Sequence, residues 1–181
     1  MPPTPTAPPI DPGPALLEAY AVNERMNQLV LEHLDTRAWR AKAPGNKGRP
    51  IAAIFAHMHN ARRKWLRLTN PSRDLPSRLD GSSCTREQTM EALEESSRYC
   101  AETIAAGLSS GGAMKFLRDG WGKPWPAGPA MVVYMIAHDT HHRGQVCMLA
   151  RQLGCPLPAK VDGGIWNWEK LWKECGFAGP R

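Results

Sequence analysis

Four long stretches of this chain repeat apolar residues at three- and four-residue steps, the period of a helix with one face in a core. The first runs from about Ala15 to Leu34, with Leu16, Tyr20, Asn23, Asn27, Val30 and Leu34 on one stripe. The second runs from about Ile51 to Leu68, with Ile54, His57, Met58, Ala61, Trp65 and Leu68. The third runs from about Arg86 to Leu108, with Met90, Leu93, Ser97, Cys100, Ile104 and Leu108 facing inward. The fourth follows Gly128-Pro129 and ends near Gly154, with Met131, Met135, His138, His142, Gln145 or Val146, Leu149 and Leu153. The pattern predicts an all-α four-helix bundle with a short terminal helix and no strand.

Punctuation between the stripes supports these limits. Pro14 suits the first position of a helix, and Asn70-Pro71 stops the second one. Thr85 with Gln88 three residues on is a capping-box pattern, and Gly154 suits the residue just past a helix end. Residues 41–50 and 70–83 read as loops. The segment Met114 to Gly128 reads as irregular, with Asp119-Gly120 as a turn and Trp121 and Trp125 as anchors. The tail Ile165 to Phe177 is amphipathic. Its Ile165, Trp168 and Trp172 share a side beside Trp166, and are expected to plug one end of the bundle.

The chain has 181 residues, of which 42% are hydrophobic. That is enough for one domain, residues 15–181, with its own core. Residues 1–14 contain seven prolines and predict an extended arm. No apolar run has the length needed to cross a membrane, and the opening Met1-Pro2-Pro3-Thr4-Pro5 has no signal-peptide character, so the expectation is a cytoplasmic protein. Five dispersed cysteines without a CxxC pair read as reduced packing residues. The net charge of +6 raises the question of an acidic partner. The densest basic cluster is Arg62, Arg63, Lys64 and Arg67. No nucleic-acid-binding pattern accompanies it, so the cluster reads as a solvated helix face and no nucleic-acid partner is expected.

The chemistry sits on the second and fourth stripes. His138 and His142 are one turn apart on one face. Each buried imidazole needs a partner or its desolvation is unfavourable. His57 lies on the inward stripe of the second helix, whereas His59 is about 200° further round and must point elsewhere. His57, His138 and His142 are therefore the candidate ligands of a divalent metal, with open positions left for water or substrate. The asparagines Asn23 and Asn27 are unusual on a core stripe. Either they line a polar pocket, or the stripe is rotated to include Leu17, Glu24 and Leu31.

Two strings, His57-Met58-His59-Asn60-Ala61-Arg62-Arg63-Lys64-Trp65-Leu66 and His138-Asp139-Thr140-His141-His142-Arg143-Gly144-Gln145, together with Leu149-Ala150-Arg151-Gln152-Leu153-Gly154, resemble the DinB family of DinB/YfiT-like metalloenzymes. The resemblance covers nearly all of the chain after the proline arm. It implies a four-helix bundle holding zinc, nickel or another divalent ion (iron and manganese are the lesser choices) through His57, His138 and His142. It also implies a small-molecule substrate, with a low-molecular-weight thiol among the candidates, and a homodimer. Relatives include thiol-dependent transferases and an isomerase.

Within the motif, Arg143 is expected to make a salt bridge or bind an anionic substrate, Gly144 to allow close helix approach, and Gln145 to hydrogen-bond His141 or His142. His141 is a candidate proton shuttle, so His141 and Arg143 are the candidate catalytic residues. The string His138-Asp139-x-x-His142 also imitates the zinc-protease pattern with Asp for Glu, but the shorter acid and the lack of a downstream ligand argue against a peptidase. The remaining alternative is a non-enzymatic helical module stabilised by its metal.

Overall fold

In the computed structural model of this protein, residues 11–116 and 123–177 are described. Four long helices, α1 (Gly13–His33), α3 (Ile51–Thr69), α4 (Arg86–Ser109) and α5 (Ala127–Gln152), pack on one another. Three short ones, α2 (Thr36–Trp39), α6 (Ala159–Asp162) and α7 (Trp168–Glu174), sit outside them. The architecture is the all-α bundle that the stripes predict. Its apolar core falls into two clusters. One is built around Val30, Leu31, Phe55, Met58 and Val146, the other around Tyr20, Trp65, Ile104, Met131 and Met135.

Local sequence sets the helix ends. Gln88 N donates to Thr85 Oγ1 over 3.1 Å while Thr85 N donates to Gln88 Oε1 over 2.9 Å, the reciprocal pair of a capping box. α5 closes with Gly154 at φ +71°, where Gly154 N reaches Arg151 O and Cys155 N reaches Ala150 O. This is the double bond of a Schellman ending, and it uses the left-handed conformation that glycine adopts freely.

The structure departs from the sequence reading at several points. α1 begins at Gly13, inside the span assigned to the proline arm, and residues 1–10 lie outside the described part. α5 begins at Ala127, ahead of Gly128-Pro129; Pro129 is accommodated in the first turn, where a backbone N–H has no helical acceptor. The stretch before it holds a small antiparallel ladder, β1 (Lys115–Phe116) with β2 (Trp125–Pro126), too short for an alternating pattern to announce it. Asp119, Gly120 and Trp121 lie outside the described residues. Trp125 is 40% exposed, and Phe116 is the aromatic of the ladder that is buried.

In the tail, Leu171 is the buried anchor, with Ile165 and Trp172 packed beside it and Trp166 71% exposed. Arg25 on α1 ties α7 down through Glu174 at 2.6 Å. Finally, the close helix approach expected at Gly144 occurs elsewhere. Gly144 is exposed and a Cβ there would meet nothing within 4 Å. A Cβ on Gly107 would instead lie 2.3 Å from Gly128 N, so α4 and α5 touch backbone to backbone at that pair. The five cysteines are all free, and Cys84, Cys100 and Cys155 are buried, as packing residues should be.

Candidate metal centre

α5 presents His138 and His142 toward α3, which presents His57. One ring nitrogen from each of the three lies within 4.8 Å of the others. The ring centroids are 5.2 Å apart for His57 and His138, 4.8 Å for His57 and His142, and 4.5 Å for His138 and His142. His57 Nε2 and His138 Nε2 are 3.3 Å apart. Two imidazole nitrogens bound to one tetrahedral ion at the usual ~2.0–2.1 Å would be separated by roughly that distance. His142 Nδ1 faces Gln145 Oε1 at 2.8 Å. A carboxamide oxygen only accepts, so Nδ1 carries the proton and Nε2 keeps its lone pair for a ligand bond.

Electrostatics favour the form a metal needs. Burial lowers His57 to about 4, and the charges of His142, Arg49, His138 and Lys64 act in the same direction. His142 is also lowered, by burial first and against the raising effect of its bond to Gln145. Three imidazole nitrogens within 4.8 Å of one another are a donor set for a divalent ion. The three residues picked from the stripes are thus brought together, and they fit such an ion.

The family follows from a match that runs along most of the chain. Residues 10–169 match the family model described as DinB family. The chain belongs to the DinB family. No curated protein and no solved structure matches it significantly. The DinB bundle thus has its three histidines where the motif strings put them, and no described helix is long and apolar enough to cross a membrane.

Around the ligands, the expected residues divide. Gln145 bridges its two histidines, accepting from His142 and donating from Nε2 to His141 Nε2 at 3.1 Å. His141 is exposed, with its ring 4.9 Å from that of His142. His59 is fully buried away from the cluster, as its angular position requires. Its Nε2 lies 2.8 Å from Ser77 O and its Nδ1 lies 2.9 Å from Ala92 O and 3.1 Å from Ser96 Oγ, pinning the loop before α4 to that helix.

Arg143 is buried and forms no salt bridge with a carboxylate among the described residues. Its Nη1 donates to Asn23 Oδ1 at 3.0 Å and Asn27 Oδ1 at 2.8 Å. The same two asparagines donate from Nδ2 to Asp139 Oδ2 at 2.9 and 3.1 Å. They line a polar interior in which Glu24 also sits, so both readings of the α1 stripe hold in part.

That interior is what sequence reasoning missed. Arg62, expected on a solvated face with Arg63, Lys64 and Arg67, is 0% exposed. Its Nη2 contacts Glu24 Oε2 at 2.5 Å and Asp139 Oδ2 at 2.7 Å, and its Nη1 donates to Leu93 O at 2.8 Å. Only Lys64 and Arg67 of the four are exposed. Burial opposes ionisation of Asp139, but the Arg62 guanidinium overcomes it and holds the carboxyl at about 2. Burial raises Glu24 despite the same guanidinium. With three donors on one oxygen and no exposed surface, Asp139 is not available as the general base of a protease-like site. A second unforeseen residue is Tyr134, one turn before His138, whose ring stacks on that imidazole at 5.6 Å and 16° while resting 4.4 Å from the Trp65 ring.

Proposed function

We propose that this protein is a divalent-metal-dependent enzyme acting on a small molecule, with transfer to or from a low-molecular-weight thiol the first candidate and isomerisation or hydrolysis the next. The observation that carries the reading is the convergence of three imidazoles from two helices, with no fourth His, Cys, Asp or Glu in the cluster among the described residues. Three nitrogen donors and open positions are the arrangement of catalytic sites, whereas structural sites are closed by four. Imidazole ligands suit zinc or nickel first, and iron or manganese less well. The ion would supply Lewis acidity, lowering the pKa of a water or thiol that reaches it.

The chain's own residues do the rest. Gln145 fixes the proton of His142 on Nδ1. Tyr134 and Trp65 form an aromatic wall beside His138. Arg49 and Lys64, whose charges reach His57, make the surroundings attractive to an anionic or thiolate-forming ligand. His141, exposed and hydrogen-bonded to Gln145, is the group placed to exchange protons with solvent. Arg143 supports the site from below through Asn23 and Asn27, so its part in this reading is positional. The family resemblance implies a homodimer, and the sequence reading a cytoplasmic setting.

The test is a titration of metal-free protein with cobalt, zinc and nickel, followed by candidate thiols. The expected outcome is one ion per chain, lost in His142→Ala, with a cobalt spectrum that changes when thiol is added. Absence of stoichiometric binding would overturn the reading. Binding that raises the melting temperature with no spectral response to any thiol or substrate would instead favour a metal-stabilised module without activity.

A further inference from the structure

We infer that Asp139 sets the tautomer of His138, and so how tightly the three-histidine cluster can hold a metal. The inference rests on the metal-binding reading above and concerns a residue outside the ligand set.

The two oxygens of Asp139 have different surroundings. Oδ2 is saturated by Asn23 Nδ2 at 2.9 Å, Asn27 Nδ2 at 3.1 Å and Arg62 Nη2 at 2.7 Å. Oδ1 is buried and has no hydrogen-bond partner. His138 Nδ1 is likewise buried and without a hydrogen-bond partner, and it lies 3.8 Å from that same Oδ1. Two orphaned buried polar atoms are costly apart and complementary together. Asp139 is ionised beside Arg62, so its free oxygen can only accept. The proton of a neutral His138 therefore belongs on Nδ1, facing Asp139. Nε2 is then left bare, and it is Nε2 that lies 3.3 Å from His57 Nε2. The stack on Tyr134 holds the ring plane in this orientation. Carboxylate, imidazole and ligand position thus form a line from the ionic interior to the cluster, the relation by which outer partners orient metal-binding histidines.

The informative variant is Asp139→Asn. Three donors still converge on the Oδ2 position, so the amide must place its oxygen there. Its NH2 then occupies the Oδ1 position and points a donor at His138 Nδ1. The ring can answer only with a lone pair, which moves its proton to Nε2 and removes that nitrogen from the donor set. The first measurement uses metal-free protein at pH about 8, where free imidazole (pKa ~6.5) is neutral. Long-range nitrogen–proton NMR correlations should report His138 as the Nδ1–H tautomer in wild type and as Nε2–H in Asp139→Asn. The second is zinc affinity by chelator competition, expected to fall about 10–100-fold in the variant.

A purely structural role for Asp139 would leave the tautomer of His138 unchanged. An Nε2–H tautomer in the wild type, or a variant with wild-type zinc affinity, would overturn the inference. Should the variant not fold, the wild-type tautomer decides alone. A wild type that binds no metal would defeat the function proposed above while leaving this tautomer measurement standing; a metal-binding wild type with Nε2–H at His138 would defeat only the present inference.

Discussion

Two regions of α5, offset by a single residue, behave in opposite ways. His138 and His142 face His57 on α3, with one ring nitrogen of each within 4.8 Å of the others. Asp139 and Arg143, each one position later, face the interior, where Arg62, Asn23 and Asn27 bind Asp139 Oδ2 and the two asparagines accept from Arg143. The first region gathers nitrogen donors around one point, whereas the second pairs opposite charges and leaves Asp139 Oδ1 and Arg62 Nε without a hydrogen-bond partner. The same helix can carry both because a step of one residue turns a side chain through about 100°. What the contrast teaches is that polarity on a core stripe has two meanings. It can mark a donor set for an ion or a buried ionic lock, and composition does not say which.

The contrast is broken most severely at Arg62. Arg62→Ala leaves Asp139 and Glu24 buried without their counter-charge, and should lower stability by about 3–5 kcal/mol. That is a large share of the ~5–15 kcal/mol available to a domain. His57→Ala, made in metal-free protein, should cost no more than about 1 kcal/mol. Urea denaturation of the two variants side by side checks the difference, and equal losses would mean that the cleft is as much a part of the core as the interior.

Acid should separate the regions next. His57, at about 4, and His142 are held below the free imidazole value in the folded state. The unfolded chain therefore takes up more protons between that folded value and ~6.5. The stability these rings confer is fully present above ~6.5 and is lost as pH falls, for His57 toward about 4, the window in which protons also displace a metal. Asp139, at about 2, confers stability that is present above its free value of ~3.9 and is lost only as pH falls through 2. Glu24, raised by burial, works the other way and makes the acid response of the interior shallower. Metal release, followed by chelator fluorescence, should precede unfolding, followed by circular dichroism, as pH is lowered; coincident transitions would contradict this order.

The smallest effect is expected at Gly144, on the outer side of the same helix. Gly144→Ala meets no atom within 4 Å and removes backbone freedom from the unfolded chain, so it should stabilise by roughly 0.5–1 kcal/mol without changing metal affinity. A loss of stability in thermal melts would show that this face is covered by something.

Much of the bundle is legible in the sequence because it depends on local chemistry. The Thr85–Gln88 box, the glycine ending at Gly154 and the four stripes are all read within a few residues of themselves. The three histidines could be read as well, because the angular position of His57 against His59 is a matter of helix geometry alone. Arg62 was not legible, for the opposite reason. Its burial depends on Glu24 and Asp139, which lie 38 and 77 residues away in the chain. Nothing near it distinguishes it from Lys64 and Arg67. The asparagines at 23 and 27 carried half of the signal, since polar residues on an inward stripe require partners. The β1–β2 ladder, at two residues per strand, is below the length at which alternation can be recognised.

The backbone contact between Gly107 and Gly128 has a remote consequence. Ten residues of α5, roughly 15 Å, separate Gly128 from His138. With no side chain in between to act as a cushion, the foot of that helix rests directly on its neighbour. A methyl group added at position 107 would tilt the far end, opening or narrowing the gap between the imidazoles of α5 and that of residue 57. The aim of the cluster is therefore calibrated at a joint that contains no histidine.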